Sequence, residues 1–296
     1  MVIHTVGVVG CGTMGAGIAL AAARSGYDTI VLEISQALLE KGLARIDSLL
    51  DALVADGAME EAKRGQIRAR LTGATQYGAL SACDLVIEAA PEQLELKHQI
   101  LKSVEATVRP EAILASNTSS LPIVELAAVL ERPERMVGLH FCHPSHIMPL
   151  LELIASLRTD AAAAEAAYDF GRSLGKTVIR AKDYPGFIIN YLQYPFRLNA
   201  IRMVERGMAS PADIDAAARL GLGHPYGPLE FQDSTGLDVT YHACKAIYEA
   251  TRDPLFAPPV LMQQMVAAGL LGRKTGKGFY DYTPERTEEG AGHGQE

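Results

Sequence analysis

The clearest indication of the fold class is the stretch of residues 3–15, Ile-His-Thr-Val-Gly-Val-Val-Gly-Cys-Gly-Thr-Met-Gly. Its first seven residues are typical of a short buried strand, and the Ala- and Ile-rich segment 13–25 predicts a helix. A second β-rich run covers 28–33. A strand, a helix and a strand within about 30 residues form a βαβ unit, whose two strands are parallel.

The loop between the first strand and its helix is a Gly-x-Gly-x-x-Gly motif. In this position Gly10 permits a tight turn, Gly12 lets a pyrophosphate approach the backbone, and Gly15 allows the helix to pack closely on the strand. The phosphates of a dinucleotide would lie at the helix N-terminus. We therefore predict that the cofactor-binding residues of this loop are Gly10, Gly12, Thr13, Met14 and Gly15.

Glu33 ends the second predicted strand, 23 residues after Gly10. A carboxylate at this point accepts hydrogen bonds from ribose hydroxyls and repels a 2′-phosphate. The pattern therefore predicts NAD as the cofactor rather than NADP. Two alternatives stay open, FAD binding and a glycine turn that serves only packing.

Strand and helix patterns alternate from the N-terminus to about residue 183, and helix patterns follow alone. Further strands are predicted at 84–88, 112–115, 136–140, 150–154 and 177–180, and further helices at 36–54, 59–70, 92–108 and 161–174. Tyr184-Pro185-Gly186 marks a break, and Ser210-Pro211 is typical of a helix start. We predict a doubly wound α/β domain of Rossmann type over 1–184, an all-α domain over 185–284 and a disordered tail over 285–296.

The composition excludes several classes of protein. The 27 basic and 35 acidic residues give a net charge of −8, which disfavours nucleic acid and anionic membrane surfaces as partners. The four cysteines form no Cys-x-x-Cys pair, and no apolar run reaches the length of a membrane span. We therefore predict a cytoplasmic protein that binds neither nucleic acid nor membranes.

Motifs outside the glycine loop resemble those of the L-3-hydroxyacyl-CoA dehydrogenase family, in its short 3-hydroxybutyryl-CoA dehydrogenase form. The resemblance covers about residues 3–283. The motifs that carry it stand in the family's order at 116–121, 138–141, 148–152, 183–190, 221–228 and 272–280.

The resemblance implies NAD-dependent interconversion of a 3-hydroxyacyl thioester and its 3-keto form, and a homodimer joined by the helical domain. It implies that His140 is the general base or acid and that Glu152 is its partner. Ser119 and Asn190 would contact the substrate near the reacting oxygen. Further contacts to the cofactor are implied for Glu92, Lys97, Asn117, Ser119, His143 and Lys274.

These residue types suit the chemistry. An imidazole with a pKa near ~6.5 can take a hydroxyl proton at neutral pH, and a carboxylate can stabilise the imidazolium that forms. Hydroxyl and amide donors can polarise the developing carbonyl oxygen.

Other interpretations stay open. His140 could be a structural histidine, and the chain could be a non-catalytic nucleotide-binding protein. His140, His143 and His146 also form a His-x-x-His-x-x-His pattern, but Pro144 interrupts a regular helix and no carboxylate or paired cysteine completes a zinc site. We predict no metal.

The chain departs from the family pattern in three places. His143 stands where the family usually has asparagine, and Pro149 stands where it has lysine. The end of the helix after Glu33, residues 47–56, carries three aspartates and no lysine, and this charge should repel the phosphates of CoA. The nearest possible substitutes for the missing lysines are Lys41, Arg45, Lys63 and Arg64. The alternative substrate is therefore a free hydroxy acid or a hydroxyacyl group on a carrier protein.

Overall fold

The computed structural model describes residues 2–283. The chain divides into two compact units between Ile188 and Ile189. The predicted disordered tail over 285–296 lies outside the described residues. Within residues 2–283, no helix is long and apolar enough to cross a membrane.

The N-terminal unit is built on one eight-stranded sheet with the order β3-β2-β1-β4-β5-β6-β7-β8. Its strands are β1 Thr5–Val9, β2 Asp28–Leu32, β3 Leu71–Ala74, β4 Leu85–Glu88, β5 Ile113–Ser116, β6 Met136–Phe141, β7 Leu150–Ala155 and β8 Thr177–Lys182. The first six run parallel, so the loops that follow β1, β2, β4, β5 and β6 meet at one edge of the sheet. In a doubly wound sheet this edge is where ligands bind.

Helices cover both faces of the sheet, which accounts for the continuous apolar runs in its central strands. The helices of this unit are α1 Thr13–Arg24, α2 Gln36–Ala55, α3 Glu61–Arg68, α4 Leu94–Glu105, α5 Ile123–Ala127 and α6 Ala161–Ser173. Residues of α1, α2, α3 and α6 contribute to one hydrophobic cluster, and residues of α4 and α5 contribute to the other.

Strand β7 reverses the direction of the sheet. It pairs antiparallel with β6, and β8 then pairs parallel with β7. Residues 142–149 join β6 to β7, which is too short for the crossover that a parallel neighbour needs. The register sets His140 directly opposite Glu152.

The C-terminal unit is helical. Its helices are α7 Ile189–Glu205, α8 Pro211–Ala216, α9 Pro228–Thr235, α10 Leu237–Thr251 and α11 Val260–Ala267. Ser210 caps α8 by accepting a hydrogen bond from the backbone N–H of Asp213, as the Ser-Pro signal predicts. A separate core of residues such as Leu198, Leu229 and Phe256 holds the helices together.

In the N-terminal unit the predicted elements agree with these bounds to within a few residues, but strand β3 and the short helix α5 were not predicted. Strand β3 was not predicted, because Leu71-Thr-Gly-Ala is four residues long and only Leu71 is buried. Pairing with β2 makes this segment a strand at the sheet edge. The Ser116–Leu121 motif consequently follows the fifth strand, rather than the fourth that the sequence predicts.

Candidate active site

The glycine loop lies at the carboxyl end of β1, and each glycine has its own steric situation. Gly10 has a φ of +92°, which favours glycine. A Cβ on Gly15 would lie 1.9 Å from the carbonyl oxygen of Gly10, so α1 packs on the loop only without a side chain there. A Cβ on Gly12 would meet no described atom within 4 Å. The space above Gly12 is therefore open for a ligand to approach the backbone.

Helix α1 offers its first N–H groups to a ligand. Gly12 is its N-cap, no side chain caps these donors in the described part of the chain, and no acidic residue stands in the first turn. Thr13 and Met14 are the first two helical residues. Since a helix N-terminus carries partial positive charge, this end fits a pyrophosphate.

Glu33 stands directly after β2 and is tied to the glycine loop. Its Oε1 accepts a hydrogen bond from the backbone N–H of Cys11 at 2.6 Å, and its Oε2 accepts one from Ile34 at 3.2 Å. The carboxylate is half-buried, so its remaining acceptor capacity can serve ribose hydroxyls. Loop, helix start and carboxylate together fit a dinucleotide without a 2′-phosphate.

His140 and Glu152 form a close pair across β6 and β7. The imidazole Nδ1 lies 2.6 Å from Oε2 of Glu152, whose side chain has no exposed surface. The other oxygen, Oε1, accepts a hydrogen bond from the backbone N–H of Ile188 at 2.9 Å. A carboxylate that accepts at Nδ1 assigns the proton to that nitrogen and leaves Nε2 as the basic one. Nε2 has no hydrogen-bond partner among residues 2–283.

The backbone around Phe187 shapes this pair. Phe187 has a φ of 49°, in the left-handed region that a side chain other than glycine rarely adopts. Its ring packs on the His140 ring with centroids 5.6 Å apart, and the next residue donates to Glu152. Strained backbone of this kind is often found where a site needs it.

Asn117 joins the ends of three strands. Its backbone N–H donates to the carbonyl of Glu88 at 2.8 Å, and its side-chain Oδ1 accepts from the backbone N–H of Phe141 at 2.9 Å. Phe141 is the neighbour of His140. Asn117 therefore holds the strand that carries the imidazole beside the loop that carries Ser119.

Family models match the chain almost from end to end. The model for the NAD binding domain of 3-hydroxyacyl-CoA dehydrogenase matches residues 5–184, and the model for the C-terminal domain of that enzyme matches residues 186–282. The chain belongs to the 3-hydroxyacyl-CoA dehydrogenase family. It is an NAD-dependent oxidoreductase, and the predictions of its family, fold class and cofactor are confirmed.

Individual relatives agree with this family. A 3-hydroxybutyryl-CoA dehydrogenase of Mycobacterium tuberculosis is 44% identical over 282 residues, which cover 95% of this chain and 99% of the relative. The crystal structure of (S)-3-hydroxybutyryl-CoA dehydrogenase from Ralstonia eutropha superposes with a TM-score of 0.93 at 43% identity, covering 95% of this chain and all of that one. A dehydrogenase of 5-formyl-3-hydroxy-2-methylpyridine 4-carboxylic acid superposes with a TM-score of 0.77 at 32% identity, covering 96% and 92%.

A buried ion pair lies at the same edge of the sheet as the glycine loop. Glu88, at the end of β4, and Lys97, in α4, are each 1% exposed, and Nζ of Lys97 lies 2.7 and 2.9 Å from the two carboxylate oxygens. Ser116 donates to the same carboxylate at 2.7 Å. The resemblance implies a cofactor contact for Lys97. In the structure its Nζ donates hydrogen bonds to Glu88 and to the carbonyl of Ala90.

Glu92 organises the loop that carries Ser119. Its Oε1 accepts hydrogen bonds from the backbone N–H of Ser119 at 3.0 Å and Ser120 at 3.2 Å, and from the hydroxyl of Thr118 at 2.5 Å. Burial alone would raise the pKa of this carboxyl, but Lys97 and these donors lower the pKa below its ordinary value. Glu92 is therefore a stable anion that fixes the loop.

Sequence reasoning missed Glu88 and Ser116 as contributors to this edge. A carboxylate that ends a wholly buried strand is rarely unpaired, and this signal could have pointed to a partner such as Lys97.

Three other predicted residues have the following surroundings. Asn190 and Lys274 belong to the C-terminal unit, where Asn190 is buried and accepts from Gln193 at 2.6 Å. Nζ of Lys274 lies 2.5 and 2.6 Å from the carboxylate of Asp238. His143 is exposed in the loop after β6. Within residues 2–283, no group of three His, Cys, Asp or Glu side chains is arranged to hold a metal ion.

The acidic end of α2 carries less free charge than its sequence suggests. Asp51 pairs with Arg64 at 2.7 Å and Asp47 pairs with Arg68 at 3.0 Å, because α3 folds back along α2. Of the three aspartates expected to repel CoA, these two therefore have arginine partners, and Asp56 has none in the described part of the chain.

Proposed function

We propose that this dehydrogenase interconverts a short 3-hydroxyacyl thioester, such as 3-hydroxybutyryl-CoA, and its 3-keto form, with His140 as the proton acceptor and donor. The observation that carries the proposal is the 2.6 Å contact between His140 Nδ1 and a fully buried Glu152. A buried carboxylate with a histidine partner orients the imidazole and stabilises its protonated form.

The proposed chemistry moves one proton at Nε2 of His140. In the oxidation direction Nε2 takes the proton of the substrate hydroxyl, and in the reduction direction it returns that proton to the carbonyl oxygen. NAD, when bound at the glycine loop, would supply the hydride acceptor or donor for this reaction. Glu152 keeps Nδ1 protonated throughout, so the basic nitrogen is always Nε2.

Ser119 and Asn190 are proposed to polarise the oxygen on which charge develops. Support for Ser119 comes from its loop, which Glu92 and Asn117 hold in place. Support for Asn190 comes from the family resemblance. Preorganised donors aimed at a developing oxyanion commonly contribute more to rate than to substrate binding.

The family favours a thioester over a free acid as the substrate, and so do the ion pairs between aspartates of α2 and arginines of α3. Arg64 and Arg68 offset the negative charges of Asp51 and Asp47. We therefore do not expect this surface to repel the phosphates of CoA. A free hydroxy acid or a carrier-protein substrate remains the alternative. Its support is that a protein of similar fold is a dehydrogenase of a pyridine carboxylic acid.

A homodimer joined by the C-terminal unit is part of the proposal. Leu192, Leu220 and Leu222 in this unit are 70%, 88% and 68% exposed. An interface formed by this unit would bury these apolar side chains. Light scattering on the purified protein tests this part.

Steady-state kinetics with matched substrates test the proposed reaction. The panel consists of acetoacetyl-CoA, acetoacetyl-pantetheine and free acetoacetate, each reduced with NADH. We expect kcat/KM to be highest for the CoA thioester. Efficient turnover of the free acid alone would favour the alternative, and turnover of none of the three would overturn both.

A further inference from the structure

A basic cavity lies in the N-terminal unit, and neither the glycine loop nor the His140–Glu152 pair contributes to its lining. Its volume is about 360 Å³, and its walls come from the last turn of α1, from α3, from the loop before β7 and from the segment before β8. Arg24, Lys63, His146 and Lys176 line it. None of the described lining residues is acidic.

The charges of this cavity have no counter-charge. In the part of the chain that the structure describes, no carboxylate lies within ion-pair distance of any of the four side chains, although the whole chain carries a net charge of −8. Other cations of this unit, such as Arg64 and Arg68, do have carboxylate partners. A concentration of unpaired cations in an acidic protein is the arrangement that attracts an anion.

Lys176 is the buried member of the group. It is 8% exposed, and its Nζ donates to the carbonyl oxygens of Ser145 at 2.9 Å and Met148 at 2.7 Å. An ammonium group has three donors, so one N–H remains for a ligand. Burial lowers the pKa of Lys176, and Arg24 lowers it further. Burial also lowers the pKa of His146, with Arg24 and Lys176 adding to that effect. A bound anion would oppose both shifts.

The cavity lies on the opposite face of the sheet from the catalytic imidazole. Nζ of Lys176 is 5.6 Å from the ring of Phe141, which belongs to the hydrophobic cluster of α1 and α6. His140 precedes Phe141 in β6, and its ring packs on Phe187, which belongs to the other cluster. Successive side chains of a strand point to opposite faces. The four cations are therefore not part of the proton-transfer site.

We propose that this cavity binds a phosphate-bearing anion. A phosphate dianion has several acceptor oxygens for the two ammonium groups, the guanidinium and the imidazole, whereas a carboxylate has fewer acceptors and half the charge. Two ligands supply this chemistry, a phosphate group of the CoA carrier and a separate small phosphate ester. The site goes beyond the proposed reaction, because its occupancy does not require turnover.

Isothermal titration of the NAD-saturated enzyme tests the proposal. Saturating NAD occupies the glycine loop, so the heat of phosphate binding cannot come from that site. The titrants are inorganic phosphate, CoA and pantetheine, in a chloride buffer of low ionic strength. The variant is Arg24→Gln/Lys63→Gln, because neither side chain makes a hydrogen bond within residues 2–283. The control is Arg158→Gln, which removes an exposed arginine beyond the far end of β7.

We expect inorganic phosphate to bind the wild type, with affinity lowered roughly two- to fivefold for each cation removed. The control variant should bind phosphate like the wild type. If CoA displaces phosphate and pantetheine does not, the anion is a phosphate of the carrier. If CoA leaves bound phosphate in place, the anion is a separate ester.

Absence of phosphate binding to the wild type would overturn the proposal, and so would equal binding to the double variant. Melting temperatures of the NAD-bound variants show whether they are folded. Because titration needs no turnover, failure here would leave the proposed reaction standing, and failure of the kinetic panel would leave this site standing.

Discussion

The substitution Glu152→Gln tests whether the carboxylate of Glu152 contributes to catalysis or only to the stability of the fold. The carboxylate accepts from Nδ1 of His140 and from the backbone N–H of Ile188, at 2.6 and 2.9 Å. An amide of the same shape has one acceptor oxygen and one donor nitrogen, so while Nδ1 keeps its proton one of these two donors faces another donor. Leaving a buried donor unsatisfied costs about 1–3 kcal/mol of unfolding free energy.

The effect on rate should be larger than the effect on stability. Without the carboxylate, the imidazole can adopt the wrong tautomer and its protonated form loses its partner. We expect kcat for acetoacetyl-CoA reduction to fall by about 10²–10⁴-fold, while NAD affinity is unchanged. Stopped-flow or steady-state NADH absorbance measures the first quantity, and NAD titration measures the second.

Glu105→Gln is a matched control in the same unit. Glu105 is buried, and its two oxygens accept from the backbone N–H groups of Glu131 and Arg132, both at 2.9 Å. It touches no histidine in the described residues. The control should lose a similar amount of stability and keep its kcat. The reasoning is refuted if both variants keep wild-type kcat, because Glu152 would then be a structural carboxylate only.

Three further predictions concern the cofactor edge and the thiols. Glu33→Arg should shift coenzyme preference from NAD toward NADP, measured as the ratio of kcat/KM values, and an unchanged ratio would contradict the ribose assignment. Gly15→Ala should lower the melting temperature because its Cβ meets backbone, whereas Gly12→Ala should keep the fold and weaken NAD binding; equal stability losses would contradict this. Burial raises the pKa of Cys11 to about 12 and that of Cys142 to about 11, so at pH 8 only about one Cys142 thiol in a thousand is ionised. Native protein should therefore resist iodoacetamide, Cys142 reacting first, and rapid labelling of Cys11 would contradict the buried loop.

The sequence was sufficient to predict the helices and strands that are specified by short, local residue patterns. The glycine motif with Glu33 predicted the first βαβ unit, and Ser210-Pro211 predicted the start of α8. Strand β3 was missed because its pairing with β2, and not its own four residues, makes it a strand.

The sequence predicted which residue types belong to the candidate site, but it did not predict which side chains contact one another. The resemblance named Lys97 as a cofactor contact, and its side chain is 1% exposed against Glu88. The direction of a side chain from α4 depends on how that helix packs, which a motif does not encode. The same holds for Asp51, whose partner Arg64 is reached only after the chain turns between α2 and α3. Charge counted along a sequence therefore overstated the acidity of this surface.

Reduction of acetoacetyl-CoA by NADH, compared between the wild type and His140→Gln, tests whether His140 is the proton acceptor and donor. His140 contributes its Nε2 to the proton transfer and its Nδ1 to Glu152, so glutamine keeps some polarity and removes the base. We predict robust wild-type turnover, a fall in kcat of about 10²–10⁴-fold in the variant, and equal NAD affinity in both. Near-normal turnover by His140→Gln would contradict this assignment.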